Sequence, residues 1–569
     1  MRIQGLSNVR IRHGLAVALA LLPATVAAQT VVTKLQETAG SPDDLFGRVI
    51  AFERGTLAAA EVGASAAGAV HIVDHAAGAP GATGWSAQAL VVPADSAPEQ
   101  HFGAALALSH DTLLVGAPGD DELGDDAGAA YAYARNRNGT PGNPADDTWV
   151  LLGKLHPQGP NPPAHFGSAV ALAGDTAVIG ADSSVDPAAF VFARDGHGTP
   201  GNPLDDSFVQ LAQLLPEAPV TASSFGISVA LTADQRTLLV GDSLDASALP
   251  QGKVSVFARG DNGTPANPLD DTWTRTHTFG AAPDPFGSNG FFGTQLALDP
   301  GGARLMVTER FAGSSFGGRV LAFDHAVLDP GDPFDDTWTQ VTALEVASSY
   351  IQGFGDTVAL RGDRALIWHS SFGFFPGTGY VVFAYERVGA DWVIATELRA
   401  PDEAVGDGYG IGLAFLDDDT ALIGASGGPY VDDYQAREGA VYVLDLPTSN
   451  PWTLPGGVGE PGLAGWGSLQ PHEPATVRMY NSFHTGAPAL LVLGLTAINA
   501  PFQGSILVPF PQLVIPLTLS DIGDAELTAP WPAAGVVPPG TTFIFQGWIP
   551  PAVPGFGWQA TPAVTATQP

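Results

Sequence analysis

Between His101 and Pro118 the chain alternates two short apolar runs with one polar turn. Phe102-Gly103 opens the stretch, Ala104 to Leu108 is apolar, His110-Asp111 breaks it, and Thr112 to Val115 leads into Gly116-Ala117-Pro118. Apolar runs of this length, bounded by turn residues, predict strands rather than helices. The pattern returns at Phe46-Gly47, Phe166-Gly167, Phe225-Gly226, Phe292-Gly293, Phe354-Gly355 and, with tyrosine in place of phenylalanine, Tyr409-Gly410. A spacing of about 60 residues with several strands in each unit marks a repeat array.

Each unit carries four strand signals. The first follows Phe-Gly, as in Ser168 to Leu172, and the second resembles Ala177 to Ala181. The third is rich in aromatic and β-branched residues, as in Lys253 to Phe257. The fourth opens on an aromatic residue: Trp85, Trp149, Phe208, Trp273, Trp338 or Trp392. Four short strands per unit describe a propeller blade, so the expectation is an all-β, seven-bladed β-propeller. The seventh unit, ending at Gly439 to Leu444, lacks a fourth strand. Val31 to Gln36, ahead of the first Phe-Gly, matches the fourth strand of other units (compare Leu151 to His156). The N-terminal strand is therefore expected to complete the last blade and close the ring, which removes an exposed edge.

The expected division is a leader at 1–28, the propeller at 29–446, a Pro/Gly-rich linker at 447–461 and a β-sandwich at 462–569. Strand candidates in the last region are Thr476 to Tyr480, Ala489 to Leu495, Ser505 to Val508, Gln512 to Leu519 and Thr542 to Trp548. Ala489 to Ala500 lies between two prolines, is too short to cross a bilayer and reads as one buried strand.

Composition narrows the function. The leader combines Arg2, Arg10 and Arg12, an apolar run from Gly14 to Leu22 and small residues at Val26-Ala27-Ala28, the pattern of a secretory signal. The formal charge of −35 becomes more negative once those arginines leave. A secreted or cell-surface protein of such acidity is a poor match for nucleic acid, which needs basic patches. No transmembrane segment is legible, and the protein is expected to be a monomer. The chain has no cysteine, so burial rather than disulfides must hold it together.

The repeats resemble FG-GAP repeats, the units of the propeller in integrin α chains and in many bacterial surface proteins. Phe102-Gly103, Gly116-Ala117-Pro118 and Gly128 to Tyr133 form the most faithful copy. The resemblance implies adhesion or ligand binding, through loops joining strands four to one and two to three. It also implies a calcium loop between strands one and two. Here those turns are short (His110-Asp111, Gly174-Asp175, Gly362-Asp363, Asp417 to Asp419) and supply too few oxygens for calcium.

Two acidic groups are the candidate sites. Asp120, Asp121, Glu122, Asp125 and Asp126 crowd one loop between strands two and three, where they would suit a cation or a basic partner. The plainer reading is a solvated acidic loop. A second motif precedes strand four in four units and contributes Asp146-Asp147, Asp205-Asp206, Asp270-Asp271 and Asp335-Asp336. These are the secondary metal candidates, with calcium the cofactor they would take. Their plainer reading is a turn, since Asp and Asn bond their own backbone and Pro sets φ.

Other motifs carry less. Arg361-Gly362-Asp363 spells an integrin-recognition tripeptide but falls on a strand-connecting turn. Gly313 to Gly317 spells the hydrolase pattern G-x-S-x-G without its strand–turn–helix setting. Phe286-Gly287, Phe316-Gly317 and Phe372-Gly373 lack the downstream pattern and read as loops. Asn138-Gly139-Thr140 and Asn262-Gly263-Thr264 spell glycosylation sequons. The expectation is a non-enzymatic binding or adhesion protein for an extracellular protein or glycan. The alternatives are a carbohydrate- or ester-active enzyme on a propeller scaffold and a structural surface or matrix protein.

Overall fold

The computed structural model describes residues 31–36 and 45–446 apart from several loop segments, and the strands beyond 446. The larger loops left out are 63–66, 77–83, 218–222, 245–251, 282–289, 313–316, 346–352, 371–379, 401–407 and 427–438. The leader at 1–28, Phe286-Gly287, Phe372-Gly373 and most of the G-x-S-x-G stretch lie outside the described residues.

The described repeats form seven four-stranded antiparallel sheets. Blade 1 comprises Ile50–Glu53, Thr56–Glu61, Ala69–His75 and Trp85–Val91. Blade 2 comprises Ala105–Ser109, Thr112–Ala117, Ala129–Asn136 and Thr148–Leu155. Blade 3 runs from Phe166–Ala173 to Ser207–Leu214, blade 4 from Phe225–Leu231 to Thr272–Phe279 and blade 5 from Phe291–Leu298 to Thr337–Glu345. Blade 6 runs from Val358–Arg361 to Asp391–Leu398. Blade 7 takes three strands from Tyr409–Asp417, Thr420–Ala425 and Ala440–Asp445, and its fourth from Val31–Gln36. The first strand of each blade lies against the first strand of the next, and that of blade 7 returns to that of blade 1. The sheets therefore close a ring, which is the β-propeller arrangement.

The repeated residues explain how the blades meet. Each Phe of Phe-Gly, and Tyr409, is buried in a cluster shared by two neighbouring blades. Phe166, for example, sits among Leu114, Ala130 and Leu155 of blade 2 and Ile179 and Phe190 of its own blade. All seven paired glycines have φ between +84° and +98°, a region that a side chain disfavours. The glycine of Gly116-Ala117 and its counterparts in Gly180-Ala181 and Gly424-Ala425 serves a different purpose. A Cβ on Gly116, Gly180 or Gly424 would run into the backbone carbonyl of Gly167, Gly226 or Gly47 in the next blade, far inside van der Waals contact. The two halves of the motif are thus opposite sides of one backbone-to-backbone approach. Gly180→Ala should destabilise the ring by about 1–3 kcal/mol through overpacking, seen as a lower denaturant midpoint at unchanged slope.

The ring closes as the terminal strand match requires. Val31–Gln36 pairs antiparallel with Ala440–Asp445, Leu35 opposite Val441 and Lys34 opposite Tyr442. Leu35 packs on the cluster of Phe46, Leu57, Leu422 and Val441 that joins blades 7 and 1.

Beyond residue 446 the described strands form three further sheets. The largest runs in the order Trp452–Thr453, Gln559–Thr567, Thr542–Ile549, Pro488–Gly494, Leu513–Thr518. Gly462–Trp466, Pro474–Tyr480 and Asp524–Pro530 form the second, and Ala497–Phe502 pairs with Ser505–Pro509 in the third. Two expectations need correction. The segment 447–461 is more than a connector, because Trp452 and Thr453 pair with Ala566 and Thr565 at a sheet edge. Ala489 to Ala500 is not one strand: its two halves belong to different sheets. Gly494 ends the first half, and the second half begins at Ala497.

Candidate functional site

The acidic loop after Gly116-Ala117-Pro118 is divided by its own backbone into an inner and an outer set. Asp120 is buried, while Asp121, Glu122, Asp125 and Asp126 are exposed. Asp120 Oδ2 accepts hydrogen bonds from Gln100 Nε2 (2.9 Å) and the Tyr131 hydroxyl (3.1 Å), and lies 2.8 Å from Lys154 Nζ. Lys154 Nζ also reaches Asp95 Oδ2 at 2.5 Å and Glu122 Oε2 at 2.7 Å, and sits 5.3 Å from the centre of the Tyr131 ring. An internal ammonium thus gathers three carboxylates. Asp95 and Gln100 come from the loop joining blade 1 to blade 2, Asp120 and Glu122 from the loop between strands two and three, and Lys154 from the outer strand of blade 2.

The electrostatics follow from this packing. Burial alone would lower the proton affinity of Lys154, but its bonds to Asp120, Asp95 and Glu122 raise it well above the usual lysine range. Burial pushes the Asp95 carboxyl up, yet the bonds from Lys154 and Tyr131 outweigh that and hold it below its ordinary value. The Lys154 bond likewise lowers Glu122. The Tyr131 phenol is raised, by burial first and then by its bond to Asp95. Carboxylates whose folded values are lowered stabilise the fold above their ordinary values, about 3.8 and 4.5, and lose that contribution as pH falls through the folded ones. Loop 118–128 should therefore become protease-sensitive in acid, and Lys154→Met should make it so already at pH 7. Limited proteolysis against pH checks both.

The outer set is organised by turns. Asp121 Oδ1 accepts from the Asp126 backbone N–H at 2.8 Å, and the Asp126 carbonyl accepts from His165 N at 2.7 Å. Asp125 faces solvent beside them. Of the five sequence candidates, then, two join the lysine cage and three form an acidic rim above it.

The secondary candidates lie at the opposite end of the strands, and four of the eight face basic side chains of the protein itself. Asp147, Asp206 and Asp271 pair with Arg135 (2.6 Å), Arg194 (2.5 Å) and Arg259 (2.5 Å), and Asp336 faces His325 at 3.2 Å. Asp146 and Asp270 accept from the hydroxyls of Thr140 and Thr264. Asp335 accepts from Asp329 N at 3.4 Å. Asp205 is exposed in the same turn of blade 3. Arg135 extends further, to Asp74 and Thr56 of blade 1, so its turn also ties two blades together. Among the described residues no group of three or more His, Asp or Glu is placed to hold a metal ion.

The short turns between strands one and two do not fit calcium either, because arginines engage their carboxylates. Asp111 pairs with Arg137, Asp363 with Arg304, Asp418 with Arg361 and Asp419 with Arg364. Arg361-Gly362-Asp363 is therefore a turn whose two charged ends each clamp a neighbouring blade. The sequon residues Asn138 and Asn262 donate from their side chains to the carbonyls of Asp146 and Asp270, as parts of the same turns. One catalytic-looking set emerges at a blade 3 turn. His197 Nε2 is 3.0 Å from Ser207 Oγ and its Nδ1 is 3.6 Å from Asp195 Oδ2. The second distance is beyond a hydrogen bond, and the imidazole is half exposed.

Sequence reasoning missed Lys154, Asp95, Gln100 and Tyr131. Lys154 left one signal: it is one of only three lysines, with Lys34 and Lys253.

The FG-GAP repeat family model matches residues 85–133 and 149–192, which span most of blade 2 and parts of blades 1 and 3. This part of the chain thus carries FG-GAP repeats, and the fold is an all-β propeller. No curated protein matches it. Among solved structures it is similar to a prolyl endopeptidase, at 11% identity and TM-score 0.37 over 82% of this chain and 56% of that one. It therefore spans little more than half the length of that enzyme. It is also similar to the β-propeller domain of the Trilobed protease from Pyrococcus furiosus, at 8% identity and TM-score 0.29 over 66% of this chain and 88% of that one. A Trypanosoma rangeli sialidase mutant with trans-sialidase activity aligns at 10% identity and TM-score 0.33, covering 95% of this chain and 94% of that one. Likeness at these scores carries no functional argument; the fold rests on the strand pairing.

Proposed function

We propose that this protein is a secreted binding or adhesion protein that engages an extracellular ligand through the loops at the Asp120 end of the propeller. The observation that carries the reading is the acidic rim of Asp121, Asp125 and Asp126, seated on a loop that Lys154 pins from inside. A rigid, unneutralised rim favours a partner with a basic surface, and pinning reduces the ordering cost of binding. The test is retention of the mature chain on arrays of lysine- and arginine-rich peptides, matrix proteins and neutral glycans. Salt-sensitive retention on basic ligands, lost in the Asp121→Asn/Asp125→Asn/Asp126→Asn variant, supports the proposal. Equal retention by that variant overturns the role given to the rim.

A second reading, an ester-cleaving enzyme, has the 3.0 Å approach of His197 Nε2 to Ser207 Oγ in its favour. Turnover of an activated ester that disappears in Ser207→Ala would support it, and turnover unchanged in that variant would end it. No observation favours the structural-matrix reading over these two.

A further inference from the structure

The outer strands of blades 1 to 6 can be compared residue by residue. Each opens on an aromatic and carries a bulge at the same place, three residues further on. The residue after the aromatic is exposed in blades 1, 3, 4 and 5 (Ser86, Val209, Thr274 and Thr339) and half-buried in blade 2 (Val150). In blade 6 it is Val393, and it is buried. At the bulge, Gln88, Leu152, Leu211 and Thr276 are half-buried and Val341 is 36% exposed, whereas Ala395 of blade 6 is 2% exposed. Glu397, two residues on, is buried as well and pairs with Arg399. The outer strand of blade 6 is thus covered where the other five meet solvent.

The cover is supplied by the chain itself. Gly462–Trp466, from the region beyond the propeller, lies against Asp391–Leu398. It is the edge strand of the three-stranded sheet and also packs on Gln559–Thr567 of the five-stranded one, so it links both sheets to the propeller. An edge strand left in water is open to stray pairing, and a neighbour there removes that liability. The route of the chain agrees. Leu446 is buried in the cluster shared by blades 6 and 7, and Trp452 already pairs with Ala566. The stretch between them spans at most about 20 Å, which keeps the C-terminal sheets beside these two blades.

The order of the ring then decides what lies opposite. Blades 2 and 3 are each three blades from blade 6, one in either direction. The acidic loop belongs to blade 2 and is bonded to blade 3 through the Asp126 carbonyl and His165 N, so it stands at the seam half-way round the ring. Asp121, Asp125 and Asp126 are exposed with the C-terminal region in place.

We infer that the C-terminal region is docked along the outer strand of blade 6, over Val393 and Ala395, and holds the propeller from the side opposite the acidic rim. A surface or partner attached to that region therefore leaves the rim open. The docking does not depend on what the rim binds, and its failure would leave the reading of the rim untouched.

Two experiments on the full mature chain test this. The chain has no cysteine, so an introduced pair reports without background. Ala395→Cys is combined in turn with Leu463→Cys, Ala464→Cys and Gly465→Cys, and the non-reduced digest is read by mass spectrometry. At least one pair should form a disulfide, which requires Cα atoms within about 7 Å, and Val341→Cys at the equivalent place in blade 5 should form none. No disulfide from position 395, or equal yields from 341 and 395, overturns the docking. The second experiment is hydrogen exchange of Val393→Thr/Ala395→Gln. Threonine and glutamine occupy these positions in other blades (Thr274 and Gln88), so blade 6 should still fold. Exchange in Gly462–Trp466 should rise about tenfold while Thr337–Glu345 of blade 5 stays level. Exchange in Gly462–Trp466 at the wild-type rate would refute the role given to the two side chains.

Discussion

Removing Val31–Gln36 is expected to lower the stability of the whole ring by about 3–6 kcal/mol. The estimate rests on roughly four to six backbone hydrogen bonds at about 1 kcal/mol net each, with a smaller contribution from half-buried Leu35. These residues form the complete outer strand of blade 7, paired from Val31 opposite Leu444 to Gln36 opposite Ala440. Without them Ala440–Asp445 becomes an open edge, apart from which its residues are almost all buried. An apolar edge of this kind recruits strands from other chains, so the truncated protein should also self-associate. Guanidinium unfolding and sedimentation of the truncated mature chain measure the two effects. Moving the six residues behind Leu446 through a flexible linker should recover most of the loss. A truncated chain with the wild-type midpoint would show that the closing strand is dispensable.

Phe166→Ala should cost about 3–5 kcal/mol, the range for truncating a fully buried aromatic. Its side chain is fully buried and its ring meets Phe190 edge-on with centroids 5.4 Å apart. It also fills the seam where Leu114 and Leu155 of blade 2 face Ile179 of blade 3. The backbone on both sides of this seam is already in contact through Gly116 and Gly167, so the blades cannot move together to fill the cavity. The loss should therefore fall toward the upper end of the range. Equilibrium unfolding checks this, with Phe166→Leu expected to recover a substantial part. A loss below about 1 kcal/mol would mean that the seam relaxes, contrary to this packing.

Some site chemistry was legible and some was not, for identifiable reasons. The aspartate pairs before strand four were visible because four copies spell the same turn. Their arginine and histidine partners were not, since Asp147 meets Arg135 only after the chain has reversed between two strands. Lys154 could not be assigned to Asp120, because the bond crosses from an outer strand to a loop 34 positions earlier in the chain. Contacts between remote segments leave no local periodicity to read. The same limit applies beyond residue 446, where one apolar run supplies strands to two sheets.

The repeated Phe-Gly and Gly-Ala spacing was sufficient for the all-β class, the four-stranded units and the strand that closes them. The reason is that strand period, turn residues and repeat length are local properties that recur in copy after copy. Which carboxylates are neutralised, which remain as a rim and where a histidine takes an arginine's place were settled by the ring itself. Those outcomes depend on which side chains two neighbouring blades bring within about 3 Å of each other, where charge and hydrogen bonding are decided.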